Sequence, residues 1–337
     1  MKRRDWILAS ASSAGAVSLM LLAVRIGKLQ PALMASQIRN AASASLAALV
    51  VLTAVHIFLS NEKWRMVDAV LRIPGDAVPS RGTSFGITAV GVALGQILPI
   101  QVGVIAGRTI GTRFFGRAFS RGTLGSMFEQ GFDVLVMTLL AVGSCVTLVF
   151  HGGRATWLLA SGVILAMALL ATGPVFAFAR RVGTSASTAR LLGRTLSESM
   201  KKLCQAGLLD PGLARKLTAL SIARFIIQTL MAADVCAAVD IHIPIWHLAA
   251  SIPLVILACV VVLTPGGIGV GELSYAGVLH LFGTPINVAI QWAVTARILI
   301  SASCFTTAAV VGCAAVAELR WKRKRSSLKT ADLACSQ

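Results

Sequence analysis

Charge is scarce in this chain, and acidic charge is scarcer still. Only 13% of the 337 residues are Asp, Glu, Lys or Arg, and 13 acids stand against 31 Lys and Arg. With 56% hydrophobic residues and a mean hydropathy of +0.80, too little polar surface is left to cover an ordinary soluble domain. Aromatic residues make up 6%, and the basic residues sit between apolar segments and at the ends rather than in one aromatic-interleaved patch. That pattern excludes nucleic acid as the partner of the +18 formal charge and points to anionic lipid headgroups. No CxxC pair occurs among Cys145, Cys204, Cys236, Cys259, Cys304, Cys313 and Cys335, so neither a disulfide framework nor a metal site is expected. The absence of a GxxxxGK[ST] loop argues against direct nucleotide use, and the lack of HExxH or DxD against metal-assisted chemistry. No cofactor and no enzymatic activity are expected.

What is present is a series of long apolar runs. The first, Trp6–Val24, follows the basic MKRR and is long enough to cross a bilayer core of roughly 30 Å at about 1.5 Å per residue. No clean cleavage site follows it, so it reads as a retained span with the N-terminus in the cytoplasm. The second runs from Ala41 to about Ser60. A hydrophilic loop, NEKWRMVDAVLRIPGDAVPSRGT, comes next, and its Lys63, Arg65, Arg72 and Arg81 suit the cytoplasmic side. Further spans are expected at Leu124–Phe150, Ala155–Ala179, Leu217–Val239, Ile245–Leu263 and Ile286 to about Val316. The longest polar segment, Arg180–Lys216, holds eight basic residues. Within it, Leu192, Leu196, Met200 and Leu203 fall at helical spacing, as in a helix lying on the inner leaflet or one packed against the other cytoplasmic loops. The expected fold is an all-α polytopic membrane protein with about eight transmembrane helices, re-entrant or broken helices and a possible internal inverted repeat. One integral domain covers 1–319, and 320–337 forms a basic cytoplasmic tail.

Two segments break the apolar grammar. In Leu263–Gly283, LTPGGIGVGELSYAGVLHLFG, Pro265 removes a backbone donor, Gly266, Gly267, Gly269 and Gly271 tolerate unusual backbone angles, and Glu272 stands where a charge is costly. The bland alternative is a tight helix corner with a snorkelling glutamate. The earlier GQILPIQVGVIAGR repeats that grammar with Pro99, Gly103, Gly107 and Arg108, the two prolines lying 166 positions apart. Matched interrupted segments, one in each half of a chain, point to a substrate site built from broken helices. Arg108, Arg113, Arg117 and Arg121 favour a re-entrant first segment that returns to the cytoplasmic side. Glu129 and Asp133 share one helical face and read either as a polar wall or proton-coupling pair or as headgroup-level charges. Arg224 and Asp234, ten residues apart in one span, each require a partner elsewhere. Arg297, a third of the way along the last span, requires a carboxylate or a phosphate.

LTPGGIGVGELSYAGVL, GQILPIQVGVIAGR, the Trp64-Arg65 pair and the VTARIL of the last span together resemble the lysylphosphatidylglycerol synthase transmembrane-region family, also called flippase-like domain proteins. The resemblance implies a lipid translocase in which freed backbone amides and Arg108 or Arg297 hold an anionic phospholipid or lipid-linked substrate, with Glu272 balancing the charge. Membrane lipids and a lipid-modifying enzyme are the other partners it implies. An accessory subunit of such an enzyme and an integral membrane lipid-transferase are the alternatives. Only about 20 residues follow the last span, so the family's soluble aminoacyl-transferring domain, and synthase activity with it, is not expected.

Overall fold

A computed structural model describes residues 31–73, 78–113, 119–184, 203–261 and 265–335, with isolated positions within 18–27 and at 76; in the last helix side chains are described as far as Ala315. Most of the expected first span and most of the amphipathic stretch at 192–203 lie outside the described residues, as do Arg117, Leu263 and Thr264.

Among the described residues, ten α-helices follow in chain order: α1 Pro31–Arg39, α2 Ser43–Val70, α3 Arg81–Leu94, α4 Ile100–Arg113, α5 Phe119–Val149, α6 Arg154–Thr184, α7 Pro211–Ala238, α8 Ile245–Val261, α9 Val270–Leu281 and α10 Ile286–Cys335. A short 3-10 turn, Pro265–Gly267, separates α8 from α9. Local chemistry sets the starts. The Ser80 hydroxyl accepts from the Thr83 amide at 3.1 Å ahead of α3, and Asp210 accepts from Leu213 N at 2.7 Å with Pro211 in the first turn of α7. Among the described residues, five helices are long and apolar enough to cross a membrane, namely α2, α5, α6, α7 and α10.

The α3–α4 pair is a helical hairpin. Gly103 faces the backbone of Gly95, Gly107 that of Gly91, and Gly111 the side chain of Ile87, so the two legs run antiparallel. Glycine is required at 103 and 107, where a Cβ would overlap the backbone of the opposite leg. Each leg has 14 residues, about 21 Å of rise, too short to cross a core of about 30 Å. The segment therefore enters the bundle and returns, as the spacing of its arginines suggests.

α8 and α9 form a second hairpin. Trp246 stacks edge-on against Phe282 at 5.6 Å, and His247 Nδ1 meets Thr284 Oγ1 at 3.1 Å, so the far end of α9 lies beside the start of α8. The Pro265 region and its short helix therefore turn back within the bundle instead of completing a crossing. The 12 residues of α9 rise only about 18 Å and lead back to the end from which α8 set out. Two further boundaries move. α2 continues helically to Val70, through the stretch read as a hydrophilic loop, and α10 runs on to Cys335 rather than stopping near Val316.

The hairpins open at opposite ends of the bundle. Val70 at the end of α2 approaches Gly207, just before α7, while His56 midway along α2 meets Arg224 midway along α7. α2 and α7 are therefore antiparallel, and a helix–hairpin–helix unit, α2–(α3–α4)–α5, recurs inverted as α7–(α8–α9)–α10. The units interlock, with α3 packing on α10 and α8 on α5. The main hydrophobic core lies between them, around Leu140, Leu248, Ile252, Leu279, Ile290 and Trp292. Outward apolar residues such as Leu159, Leu170 and Phe178 on α6 are exposed, as a lipid-facing surface requires.

Candidate functional site

The tips of the two hairpins touch. Gly266 N donates to Leu98 O at 2.9 Å, and a Cβ on Gly266 would run into Gln96 O and the Arg297 guanidinium. Gly266, Gly267 and Gly269 have φ of 59°, 70° and 82°, the left-handed region glycine tolerates. They turn the chain sharply enough to free backbone groups inside the bundle. Arg297 on α10 takes up those groups. Its Nη2 donates to Gly266 O and reaches Gln96 O at 3.5 Å, and its Nε lies 3.8 Å from Glu272 Oε1. Ser301, one turn on, donates to Gln96 Oε1 at 3.0 Å. The other Glu272 oxygen accepts from Gly269 N at 2.7 Å and caps α9. Glu272 is therefore both a helix cap and the counter-charge of Arg297, and its side chain is 3% exposed.

A second polar centre lies further along α4, away from the tip. Arg108, fully buried, donates from Nη1 to Glu129 Oε2 at 2.6 Å and from Nη2 to Ser60 Oγ at 2.7 Å and Ser60 O at 3.0 Å. Its guanidinium lies 5.4 Å from the Trp64 ring centroid. Lys63 lies 2.5 Å from Asp133 Oδ1 and 3.3 Å from Glu129 Oε1. Arg224 of α7 donates to Asp133 Oδ2, and its second nitrogen meets His56 Nε2 at 3.2 Å. A guanidinium cannot accept, so His56 Nε2 is the acceptor and is unprotonated. Glu129 and Asp133 thus share the grip of three cations drawn from three other helices.

The residues singled out in sequence therefore fall into two groups. Pro99, Pro265, Gly266, Gly267, Gly269, Glu272 and Arg297 lie at or beside the tip contact. Arg108, Glu129 and Asp133 belong to the charge cluster. Arg108 is eight residues beyond the start of α4, about 12 Å from the tip by helical rise, so Arg108 and Arg297 serve different centres. Gly103 and Gly107 close the first hairpin, and Gly271 lies against Cys259. Sequence reasoning left out Lys63, which it placed in a polar loop; the helix persists there because the lysine finds two carboxylates, the buried Glu129 and the partly buried Asp133. It left out His56, Ser60, Gln96 and Ser301 as well. Arg224 does find its partner on another helix, whereas Asp234 Oδ2 is buried without a hydrogen bond. The one available signal for Lys63 was the i, i+4 spacing of Glu129 and Asp133, a pair of acids calling for cations.

Inverted helix–hairpin–helix units with hairpin tips meeting inside the bundle define an all-α polytopic membrane protein with an inverted internal repeat. Residues 7–319 match the model of the lysylphosphatidylglycerol synthase TM region, and the chain belongs to that family. Membership places it among membrane proteins related to lipid modification or translocation. Comparison with curated proteins and with solved structures finds no match.

Proposed function

We propose that the protein is a flippase-type lipid translocase, moving a phospholipid or lipid-linked molecule across the cytoplasmic membrane. The observation that carries this reading is the tip-to-tip contact of Gly266 with Leu98 beneath Arg297. Backbone that is not helical persists at membrane depth only where protein buries it or it lines a polar path, and inverted repeats of transporters place substrates at such breaks. Arg297 can hold a lipid phosphate in place of the Gly266 carbonyl, with Glu272 keeping the unliganded guanidinium neutralised. The acyl chains stay in the bilayer, against apolar surfaces such as the open groove of about 440 Å³ lined by Thr138, Ala141, Cys145, Val149, Leu254 and Leu257. The anionic phospholipid or lipid-linked cargo, both termini on the cytoplasmic side, and the absence of enzymatic activity are parts of the same proposal.

A leaflet assay in proteoliposomes tests it. Labelled anionic phospholipid should change leaflet faster than in empty vesicles, and Glu272→Gln should slow it by at least tenfold. Rates equal to those of empty vesicles would overturn the reading. The 50-residue α10, about 75 Å long by helical rise, favours one other reading, an accessory subunit that docks a lipid-modifying enzyme on the extended end of that helix. Co-purification of a stable partner with no transport by the chain alone would support it.

A further inference from the structure

The charge cluster does not balance. Among the described residues, Lys63, Arg108 and Arg224 bring three positive charges and Glu129 and Asp133 two negative ones, a surplus of one. His56 adds none, because its Nε2 accepts from Arg224. The nearby acids have cations of their own: Glu62 lies 3.2 Å from Arg65, Asp68 3.8 Å from Arg72 and Asp76 3.0 Å from Arg121. Hydrogen bonding tilts the same way. Among the described residues, Nε of Arg108, Nε of Arg224 and Asn61 Nδ2, two positions before Lys63, are buried without an acceptor. Against these three donors stands one unbonded carboxylate oxygen of the cluster, Glu129 Oε1, which lies 3.3 Å from Lys63 without a hydrogen bond. An isolated charge at low dielectric is costly, and the cluster keeps one together with donors that have nothing to donate to. The side chains of Lys63, Arg108 and Glu129 are fully buried, whereas those of Arg224 and Asp133 remain 16% and 20% open.

We infer that this cluster is a seat for one phosphate group carrying a single negative charge, a lipid phosphodiester or inorganic phosphate, which enters past Arg224 and Asp133. One such charge neutralises the cluster. Its oxygens supply the acceptors that the two guanidinium groups lack, and Arg224 is placed to grip it from the open side. Asp133 holds Arg224 until the anion arrives and is the group the anion displaces. Arg108 connects the seat to the first hairpin, so an anion here bears on the leg whose tip meets Gly266. The inference deepens the translocase reading by giving the headgroup a second station, yet phosphate binding is measurable whether or not lipid crosses the membrane.

The test uses the purified full chain in detergent, titrated with inorganic phosphate and, separately, with dihexanoylphosphatidylglycerol. Two readouts apply: the thermal midpoint, and the Trp64 fluorescence obtained as the difference from a Trp64→Phe variant, since Arg108 lies over that ring. A saturable shift with either probe supports the seat. Phosphatidylglycerol alone assigns it to lipid, and inorganic phosphate alone to a soluble anion. Arg224→Gln should weaken binding at least tenfold. Asp133→Asn raises the surplus to two and removes the competitor, so it should tighten binding about tenfold, an effect that a purely structural role for Asp133 would not produce. If Arg224→Gln does not fold, Asp133→Asn alone carries the test. No response to either probe, or an affinity that Asp133→Asn leaves unchanged or weakens, would overturn the inference.

Discussion

Two buried glutamates sit in the two polar centres and are handled differently. Glu129 is fully buried among three cations from other helices, while Glu272 caps its own helix through Gly269 N and meets one arginine at 3.8 Å. The tip centre is built from the backbone, with freed carbonyls and amides at glycines and one guanidinium to collect them. The charge cluster is built from side chains delivered by α2, α4, α5 and α7, and its backbone is ordinary helix. Both are assembled from the two halves of the chain, but the first is balanced, one guanidinium facing one carboxylate, and the second carries an excess charge.

The sharpest way to break the comparison is Glu129→Ala. It leaves Arg108 without a carboxylate and Lys63 with Asp133 alone, and should cost about 3–5 kcal/mol, the usual penalty for removing one partner of a buried pair. Thermal unfolding followed by size-exclusion in detergent checks it; a loss below about 1 kcal/mol would mean the cluster is wetter than its burial indicates. Next in size is Gly103→Ala, whose Cβ would overlap the Gly95 backbone and should destabilise the first hairpin by about 3 kcal/mol. Glu272→Gln should cost only about 1–2 kcal/mol, since the amide oxygen can still cap α9 while the charge facing Arg297 is lost. Its transport defect should exceed its stability defect, which separates a working residue from a merely structural cap. The smallest effect is expected at Gly271→Ala, where a Cβ would lie 3.7 Å from Cys259 Sγ, an ordinary contact, and stability should stay within about 0.5 kcal/mol of the parent. A large loss there would show that the two hairpins close in the same way after all.

These contrasts also explain what could be read from the chain. Pro99 with Gly103 and Pro265 with Gly266 mark their breaks directly, because proline and glycine act on the backbone where they stand, and so the tip centre and the inverted repeat were both legible. The direction of α9 was not, since a 12-residue apolar helix is equally compatible with finishing a crossing and with turning back. Only the contacts of Trp246 and His247 with residues beyond Leu281 decide it. Lys63 escaped for a different reason. In sequence it belongs to a polar run with Glu62 and Arg65, and a lysine earns burial only through acids supplied by a helix some 70 positions away. Hydropathy reports what a residue would lose on leaving water and is silent about what it would gain from a partner.

The meeting of the hairpins bears on voltage. Under the proposed translocase reading, water following each re-entrant hairpin inward would stop at the Gly266–Leu98 contact and its surroundings, which would then act as a thin septum. A membrane potential falls mainly across the layer of lowest dielectric, so on that reading the field would concentrate at the tips. A phosphate passing there would meet much of the potential over a few ångströms, about 2.3 kcal/mol per charge for each 100 mV. Translocation of an anionic lipid through this septum should therefore speed up or slow down with the sign of an imposed potassium diffusion potential, whereas that of a zwitterionic lipid should respond far less.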